Sequence, residues 1–290
     1  MQTIIDCFSA LGVQIRDLIA QGDTHYTQTQ NTSGDIQLAL DIQSDQLIAE
    51  ALLKLPSVKA ICSEENGEIT PANPQANLLV AYDPIDGSSL LPGNLSVGTI
   101  FGIYQDAFEA QNLIASGYIL YGLRLEMVTA YRHLEGAFLQ RYDLQKQAWS
   151  DKETLKLQTQ GIINASGGTQ KEWTDYHKAM IDELFNCGYR LRYCGGMVPD
   201  LHQILLKGGG LFSYPTTAQQ PQGKLRKLFE VFPFALIFQQ AGGMATDGSQ
   251  ELLSLPTRHI HDTCGCFFGS QKEIQYVYQI YKERQWLPFQ

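Results

Sequence analysis

Residues Tyr82 to Leu90 read YDPIDGSSL, and the fold of the chain is read outward from them. The stretch leading in, LLVAY (Leu78 to Tyr82), is apolar and strand-like. A turn is expected from Asp83 onward, because Asp-Pro is a turn dipeptide. Asp83 and Asp86 stand on either side of Pro84 and Ile85, and Gly87, Ser88 and Ser89 follow. Carboxylates at a strand end are natural ligands for a hard cation such as Mg²⁺. Glycine lets the backbone approach a ligand closely, and a turn or helix start leaves N–H groups facing outward, which suits a phosphate. A strand followed by an ordinary Asp-Pro turn accounts for the nonapeptide equally well. The rest of the chain has to decide.

The chain has 290 residues, enough for one large domain or two closely joined halves. With 44% hydrophobic and 18% charged residues it has an ordinary globular composition. A net charge of −9 and the lack of a basic stripe argue against a nucleic-acid partner. Acidity does not exclude an anionic substrate, because bound Mg²⁺ inverts the local field. Of the cysteines at 7, 62, 187, 194, 264 and 266, only the last two are close, and their spacing is too short for a standard zinc site. Buried thiols in a reducing cytosol are expected. The start MQTIIDCFSA has neither the basic segment nor the apolar run of a signal peptide. No run of about 18 apolar residues is present, so the expectation is a cytoplasmic protein with no membrane partner.

Ile4, Ile5, Phe8, Leu11, Ile15, Leu18 and Ile19 recur at helical spacing and predict an amphipathic helix over 4–20, with Gly22 at its C-terminal end. Residues 22–34 read as a polar, mobile loop. Leu38, Leu40 and Ile42 alternate like a strand, and a helix is predicted over about 43–55. The short strand VKAIC (58–62) delivers Ser63, Glu64 and Glu65. Strand-like runs at 97–104, 115–122, 125–132 and 136–142 predict an antiparallel or mixed sheet. The polar stretch 143–160 is the candidate boundary. Beyond it come a strand and turn at 161–168, a helix over 171–186 and a helix over 198–206. A strand to Tyr214 follows, then a long apolar helix over 225–240 that Pro233 kinks or divides, a turn-and-strand at GGMATDG and a closing helix over 271–285. Strands and helices interleave without strict βαβ order. The prediction is a layered α+β or mixed α/β fold in two halves, 1–155 and 156–290.

The acidic residues fall at the edges of these elements. Asp35 and Asp41 flank a strand start, Glu64 and Glu65 follow a strand end, Asp83 and Asp86 follow the next, and Glu230 lies on the 225–240 segment. Any one of them alone reads as a solvated surface acid. Gathered in one cleft they repel each other unless cations neutralise them.

With these blocks in view, the chain resembles class I fructose-1,6-bisphosphatases. The resemblance runs from about Ser33 to Gly248. It rests on SGDIQLALD, ICSEEN, YDPIDGSSL, VGTIFGIY, LRYCGGMVPDLHQIL and GKLRKLFEVFPFALIFQQAGGMATDG. The Asp-Pro-Ile-Asp-Gly run alone is shared with inositol monophosphatases, whereas the long later blocks are particular to sugar bisphosphatases. The resemblance implies a five-layered αβαβα sandwich of the sugar-phosphatase type. It implies Mg²⁺-dependent hydrolysis of the 1-phosphate of fructose 1,6-bisphosphate, in gluconeogenesis, by a homotetramer. Two or three Mg²⁺ ions per site are implied, with Mn²⁺ as an alternative. Glu64, Asp83, the Ile85 carbonyl, Asp86 and Glu230 match the family's metal ligands, and Asp35 matches an acid on a loop that closes over them. Asp41 and Glu65 match the pair that activates the attacking water. Gly87, Ser88 and Ser89 match the 1-phosphate cradle. Asn164, Tyr193, Tyr214 and Lys224 match contacts to the 6-phosphate and sugar, and Gly195 and Met197 line the sugar pocket. Arg192 matches an arginine that reaches a neighbouring subunit's site.

The residue types suit the chemistry. Phosphoryl transfer needs neutralised equatorial oxygens and an in-line nucleophile. A Glu–Asp pair accepts a proton from water if one member's pKa is raised by its neighbour. Taken singly, Tyr193 and Tyr214 also read as rim or core aromatics, Arg192 and Lys224 as solvated charges, Asn164 as turn chemistry, and Cys62 and Cys194 as packing. His202 reads as a helix side chain with an ordinary partner.

The sequence departs from the family at three places. Asn164 is followed by Ala165-Ser166-Gly167-Gly168-Thr169 where many members have a Glu-Gly pair, so one 6-phosphate contact is lost or passes to Ser166 or Thr169. Asn77, Leu78 and Gln111 stand where animal enzymes hold inhibitory AMP, so animal-type AMP inhibition is expected to be weak or absent. GGMVPD (195–200) is closer to sedoheptulose-1,7-bisphosphatases, which makes such an enzyme, or one acting on both sugars, the nearest rival. A non-catalytic sugar-phosphate sensor is expected to have lost a ligand or the base pair, and none is lost here. A nucleotide phosphatase of the same superfamily does not need the Arg192 and Lys224 blocks.

Overall fold

The computed structural model describes residues 1–22, 26–30, 36–285 and 287–289, and only the backbone of residues 26–30, 36 and 37. Its first sheet runs, from one edge, through the strands 148–149, 134–143, 125–131, 113–121, 97–105, 78–86, 58–63 and 70–71. Neighbours are antiparallel except 58–63 and 78–86, which are parallel. Helices α1 (Gln2–Gln21) and α2 (Ala39–Leu53) cover one face. Phe8 of α1 stacks on Phe101 with ring centroids 4.0 Å apart. The periodicity read over 4–20 is the buried stripe Ile4, Ile5, Phe8, Leu11 and Ile15, and Gly22 ends α1 with φ 77°.

The second sheet has the order 190–191, 163–166, 210–214, 266–269, 244–246. Helices α4 (Met197–Leu206) and α5 (Phe232–Gln240) are sandwiched between the two sheets, sharing one apolar cluster with Ile100, Tyr118 and Val128 of the first and Ala165, Phe212 and Phe268 of the second. Helices α3 (Asp175–Asn186) and α6 (Gln271–Glu283) cover the outer face, against Leu211 and Phe267. The layers are therefore αβαβα, as expected. Every residue of the 78–86 strand is buried, because helices lie on both sides of it.

Four local expectations are corrected. The strand does not stop at Asp83 but continues to Asp86. Asp83 pairs with Ile100 and Asp86 with Gly98, so one extra residue bulges between them. Pro84 lies in that bulge, where no N–H is needed for the ladder. The alternation at 38–42 is not a strand, because α2 starts at Ala39. The Asp41 carboxylate accepts from Leu38 N at 2.9 Å, which caps the helix four residues earlier than the apolar pattern implies. The segment 225–240 is not one helix. Leu225–Arg226 is a short strand, Lys227–Val231 a wide π-helical turn, and α5 begins at Phe232 with Pro233 in its first turn, where a missing N–H costs nothing. Within the polar loop, residues 26–30 form a strand; residues 23–25 and 31–35, Asp35 among them, lie outside the described residues. The CFFG strand (266–269) was not anticipated.

Two glycines let the layers meet at the site. A Cβ on Gly98 would lie 2.4 Å from Val198 Cγ1, so the first turn of α4 rests directly on the sheet. Gly87, at φ 78°, turns the chain from the 78–86 strand into the short 88–93 helix.

Candidate active site

The strand ends, the start of α2 and the π-helical turn open on one cavity of about 570 Å³. Its acidic wall comes from separate elements. Glu64 follows the 58–63 strand, Asp83 ends the regular part of its strand, and Glu230 projects from the wide turn. Carboxylate oxygens of these three lie within 4.8 Å of one another. Asp83 and Glu230 are pushed well above the usual carboxylate range, first by burial and then by the charge of Glu64. Backbone holds Glu230 in place: its Oε2 accepts from Arg226 N at 2.6 Å.

Asp86 stands beside this cluster. It accepts from Val198 N at 2.7 Å and Met197 N at 3.4 Å, the free N–H groups at the start of α4. Burial drives its pKa up to about 7 against those two bonds. A carboxylate has about four lone-pair sites, so these contacts leave Asp86 capacity for a cation. Asp41 lines the same cavity, its pKa raised to about 6 mainly by burial. Glu65 also lines it, and its N–H donates to Ser63 Oγ at 3.2 Å.

Ile85, Gly87, Ser88 and Ser89 line the cavity at the chain reversal after the acids. The 88–93 helix opens with N–H groups that no preceding turn can satisfy. The far wall belongs to the second half of the chain: Tyr193, Gly195, Met197, Tyr214 and Lys224. Tyr193 is 46% exposed, and Lys224 is exposed, at the mouth.

Two expected residues do not line this cavity. Asn164 is fully buried; its Oδ1 accepts from Ser166 Oγ at 2.8 Å, and its Nδ2 has no hydrogen-bond partner. Ser166 also accepts from Ser213 Oγ at 3.0 Å, so it serves Asn164. Arg192 is exposed, and its Nη1 donates to Leu191 O at 2.8 Å.

Two participants were missed. Arg226 is 3% exposed; its Nη1 donates to Glu64 O at 2.7 Å and pairs with Glu64 Oε1 at 3.1 Å, placing a cation against the acidic wall. The run KLRK ahead of Glu230 was its signal, but a basic cluster reads as surface. Asp200 lines the cavity and accepts from Cys194 N at 3.0 Å and Gly195 N at 3.2 Å, fixing the loop that carries Tyr193 and Gly195. It was legible only as a residue of the first turn of α4.

The donor set fits hard divalent cations. Several buried carboxylates within one short reach cannot all ionise without positive charge among them, and oxygen donors are what Mg²⁺ prefers. Glu64, Asp83 and Glu230 form the cluster itself.

Comparison with known proteins follows the same lines. Residues 17–151 match the family model "Fructose-1-6-bisphosphatase, N-terminal domain", and residues 157–282 match "Fructose-1-6-bisphosphatase, C-terminal domain". The chain is 55% identical to the class 1 fructose-1,6-bisphosphatase of Helicobacter hepaticus over 96% of this chain and 99% of that protein. It is 46% identical to that of Campylobacter concisus over 98% and 99%. Among solved structures, the holo form of Leishmania major fructose-1,6-bisphosphatase superposes with TM-score 0.89 at 28% identity, covering 98% of this chain and 94% of that one. A putative sedoheptulose-1,7-bisphosphatase of Toxoplasma gondii also gives 0.89, at 25% identity and 98% and 96% coverage. The chain is thus an enzyme of the phosphatase class, and it belongs to the class I fructose-1,6-bisphosphatase family.

Proposed function

We propose that the enzyme hydrolyses the 1-phosphate of fructose 1,6-bisphosphate, releasing fructose 6-phosphate and inorganic phosphate. The observation carrying this reading is the two-walled cavity: a carboxylate cluster on one side and, on the other, Tyr193, Tyr214 and Lys224. One wall suits the reacting phosphate with its cations, the other a sugar with a distal phosphate.

Glu64, Asp83, the Ile85 carbonyl, Asp86 and Glu230 hold Mg²⁺ in this reading, two or three ions per site, with Mn²⁺ as the alternative. Such ions would supply positive charge for the phosphoryl oxygens and for the attacking water. The chain does the rest. Asp41 and Glu65 orient the attacking water and take its proton; burial raises the Asp41 pKa, which makes it a stronger base than an ordinary aspartate. The water oxygen bonds to phosphorus, the bond to the sugar oxygen breaks, and that oxygen takes a proton from solvent. The turn at Gly87, Ser88 and Ser89 supplies donors to the phosphate. Lys224 binds the 6-phosphate with Tyr193, while Asn164, buried behind that wall, does not reach the ligand. Tyr214, Gly195 and Met197 shape the sugar pocket. Arg192 serves a neighbouring subunit's site in a homotetramer.

We further propose a cytoplasmic, gluconeogenic role and two halves, 1–155 carrying the catalytic acids and 156–290 the sugar site. Among the described residues no helix is long and apolar enough to cross a membrane.

The test is phosphate release by the purified protein with Mg²⁺, offered fructose 1,6-bisphosphate, sedoheptulose 1,7-bisphosphate and inositol 1-phosphate in parallel. Strong preference for the fructose ester is expected. A second reading, a dual sugar bisphosphatase, is favoured by the GGMVPD run at the cavity wall and by the TM-score of 0.89 to the putative sedoheptulose-1,7-bisphosphatase. Comparable rates on both sugars select it. Turnover of neither sugar defeats both readings.

A further inference from the structure

We propose that Asp45 is the positioning residue that registers the three catalytic segments of the acidic wall against one another. It lies one helical turn beyond Asp41 on α2 and is 9% exposed. Its two oxygens face two different segments. Oδ2 accepts from Asn66 Nδ2 at 2.7 Å, and Oδ1 accepts from Tyr82 OH at 2.9 Å. Asn66 follows Glu64 and Glu65 directly, and Tyr82, which is fully buried, precedes Asp83 directly. One carboxylate therefore links the helix that carries Asp41, the turn that carries Glu64 and Glu65, and the strand that carries Asp83.

The link is braced from outside the helix. Asn66 O meets His261 Nε2 at 3.0 Å, Arg226 holds Glu64 O, and Ser63 Oγ accepts from Glu65 N. Each anchor fixes the turn alone. Among the described residues, Asp45 ties it to α2 through a side-chain hydrogen bond, and so sets where Asp41 stands relative to Glu65. Two groups that share a proton acceptor's task from separate elements need such a tie, because misplacement by about 1 Å costs on the order of a hundredfold in rate.

This inference rests on the water-activating roles proposed for Asp41 and Glu65, and its test has an arm that does not. Asp45→Asn turns one acceptor into a donor facing the Asn66 amide. Tyr82→Phe removes only the hydroxyl and keeps the buried ring, so it serves if Asp45→Asn folds poorly. Each is expected to lower kcat by about tenfold to a hundredfold while KM for the bisphosphate stays within about twofold, the pattern of lost transition-state geometry. The swap Asp45→Asn with Asn66→Asp restores a donor–acceptor pair of reversed polarity and is expected to recover most of the lost kcat. Independently of substrate, hydrogen exchange in peptides covering 63–66 is expected to rise in both single variants and fall back in the swap. Unchanged exchange overturns the inference even if the proposed substrate is wrong. Wild-type kcat in both single variants overturns it too, as does a kcat loss that the swap fails to recover. A wild-type enzyme inactive on all three phosphate esters defeats the proposed function instead and leaves the exchange arm to decide the role of Asp45.

Discussion

The two walls of the cavity are built differently. Asp83, Asp86 and Glu230 are buried, and backbone N–H groups of Val198 and Arg226 hold the last two. Across the cavity Tyr193 and Lys224 are exposed, and Tyr214 is half-buried. The acidic wall gathers carboxylates whose ionisation burial opposes, an arrangement that suits cations. The other wall is open to solvent. The contrast teaches which residues set rate and which set affinity: groups preorganised in a dry environment act on the transition state, while exposed donors act on ground-state binding.

The strongest way to break this contrast is Asp83→Asn. We expect turnover to fall by at least about a thousandfold, roughly 4 kcal/mol of transition-state stabilisation. The same change removes a buried acid that must take up a proton to fold, so with a chelator present its melting temperature at neutral pH is expected to rise above wild type. A fall in both would mean that the charge of Asp83 is held by attraction rather than opposed by burial. Next, Glu65→Gln or Asp41→Asn is expected to cost about a hundredfold to ten-thousandfold in kcat with metal affinity largely kept, read by single-turnover kinetics and metal titration. Wild-type rates in both would remove them from water activation. On the opposite wall, Lys224→Ala is expected to raise KM about tenfold to a hundredfold with a smaller change in kcat, the loss of one charge-assisted hydrogen bond. A kcat effect as large as that of Glu65→Gln would erase the distinction between the walls.

The smallest expected effect is on stability against pH. Asp86 and Asp41 are raised from near 3.8 to about 7 and about 6. Between about pH 4 and pH 7 the folded chain therefore holds protons that the unfolded chain has lost. In metal-free protein these groups make stability fall as pH rises through that window, and saturating Mg²⁺ is expected to flatten the slope. Denaturant midpoints at pH 5 and pH 8, with and without Mg²⁺, test it. A metal-free protein more stable at pH 8 would contradict the burial of these acids.

Much of this was legible before folding. The helices over 2–21 and 271–283 were, because a single apolar stripe at helical spacing has one way to bury itself. The antiparallel run 97–143 was legible from β-rich segments parted by short turns. The start of α2 was not, because the capping carboxylate of Asp41 outweighed an alternating pattern. The course of 225–240 was not, because a segment buried on all sides carries no periodicity to separate strand, turn and helix. The CFFG strand was hidden for the same reason.

Residue types along the chain set the chemistry on offer: YDPIDGSS and the ordered acids name the donors, since residue type fixes what a side chain can bind. Which of those donors meet depends on the packing of the layers. Glu64, Asp83 and Glu230 converge from distant points in the chain; Arg226 and Asp200 join the site, and Asn164 withdraws into the interior. Convergence of that kind depends on layer packing and helix starts. A linear pattern holds no distances between elements, and it is those distances that turn separate acids into one site.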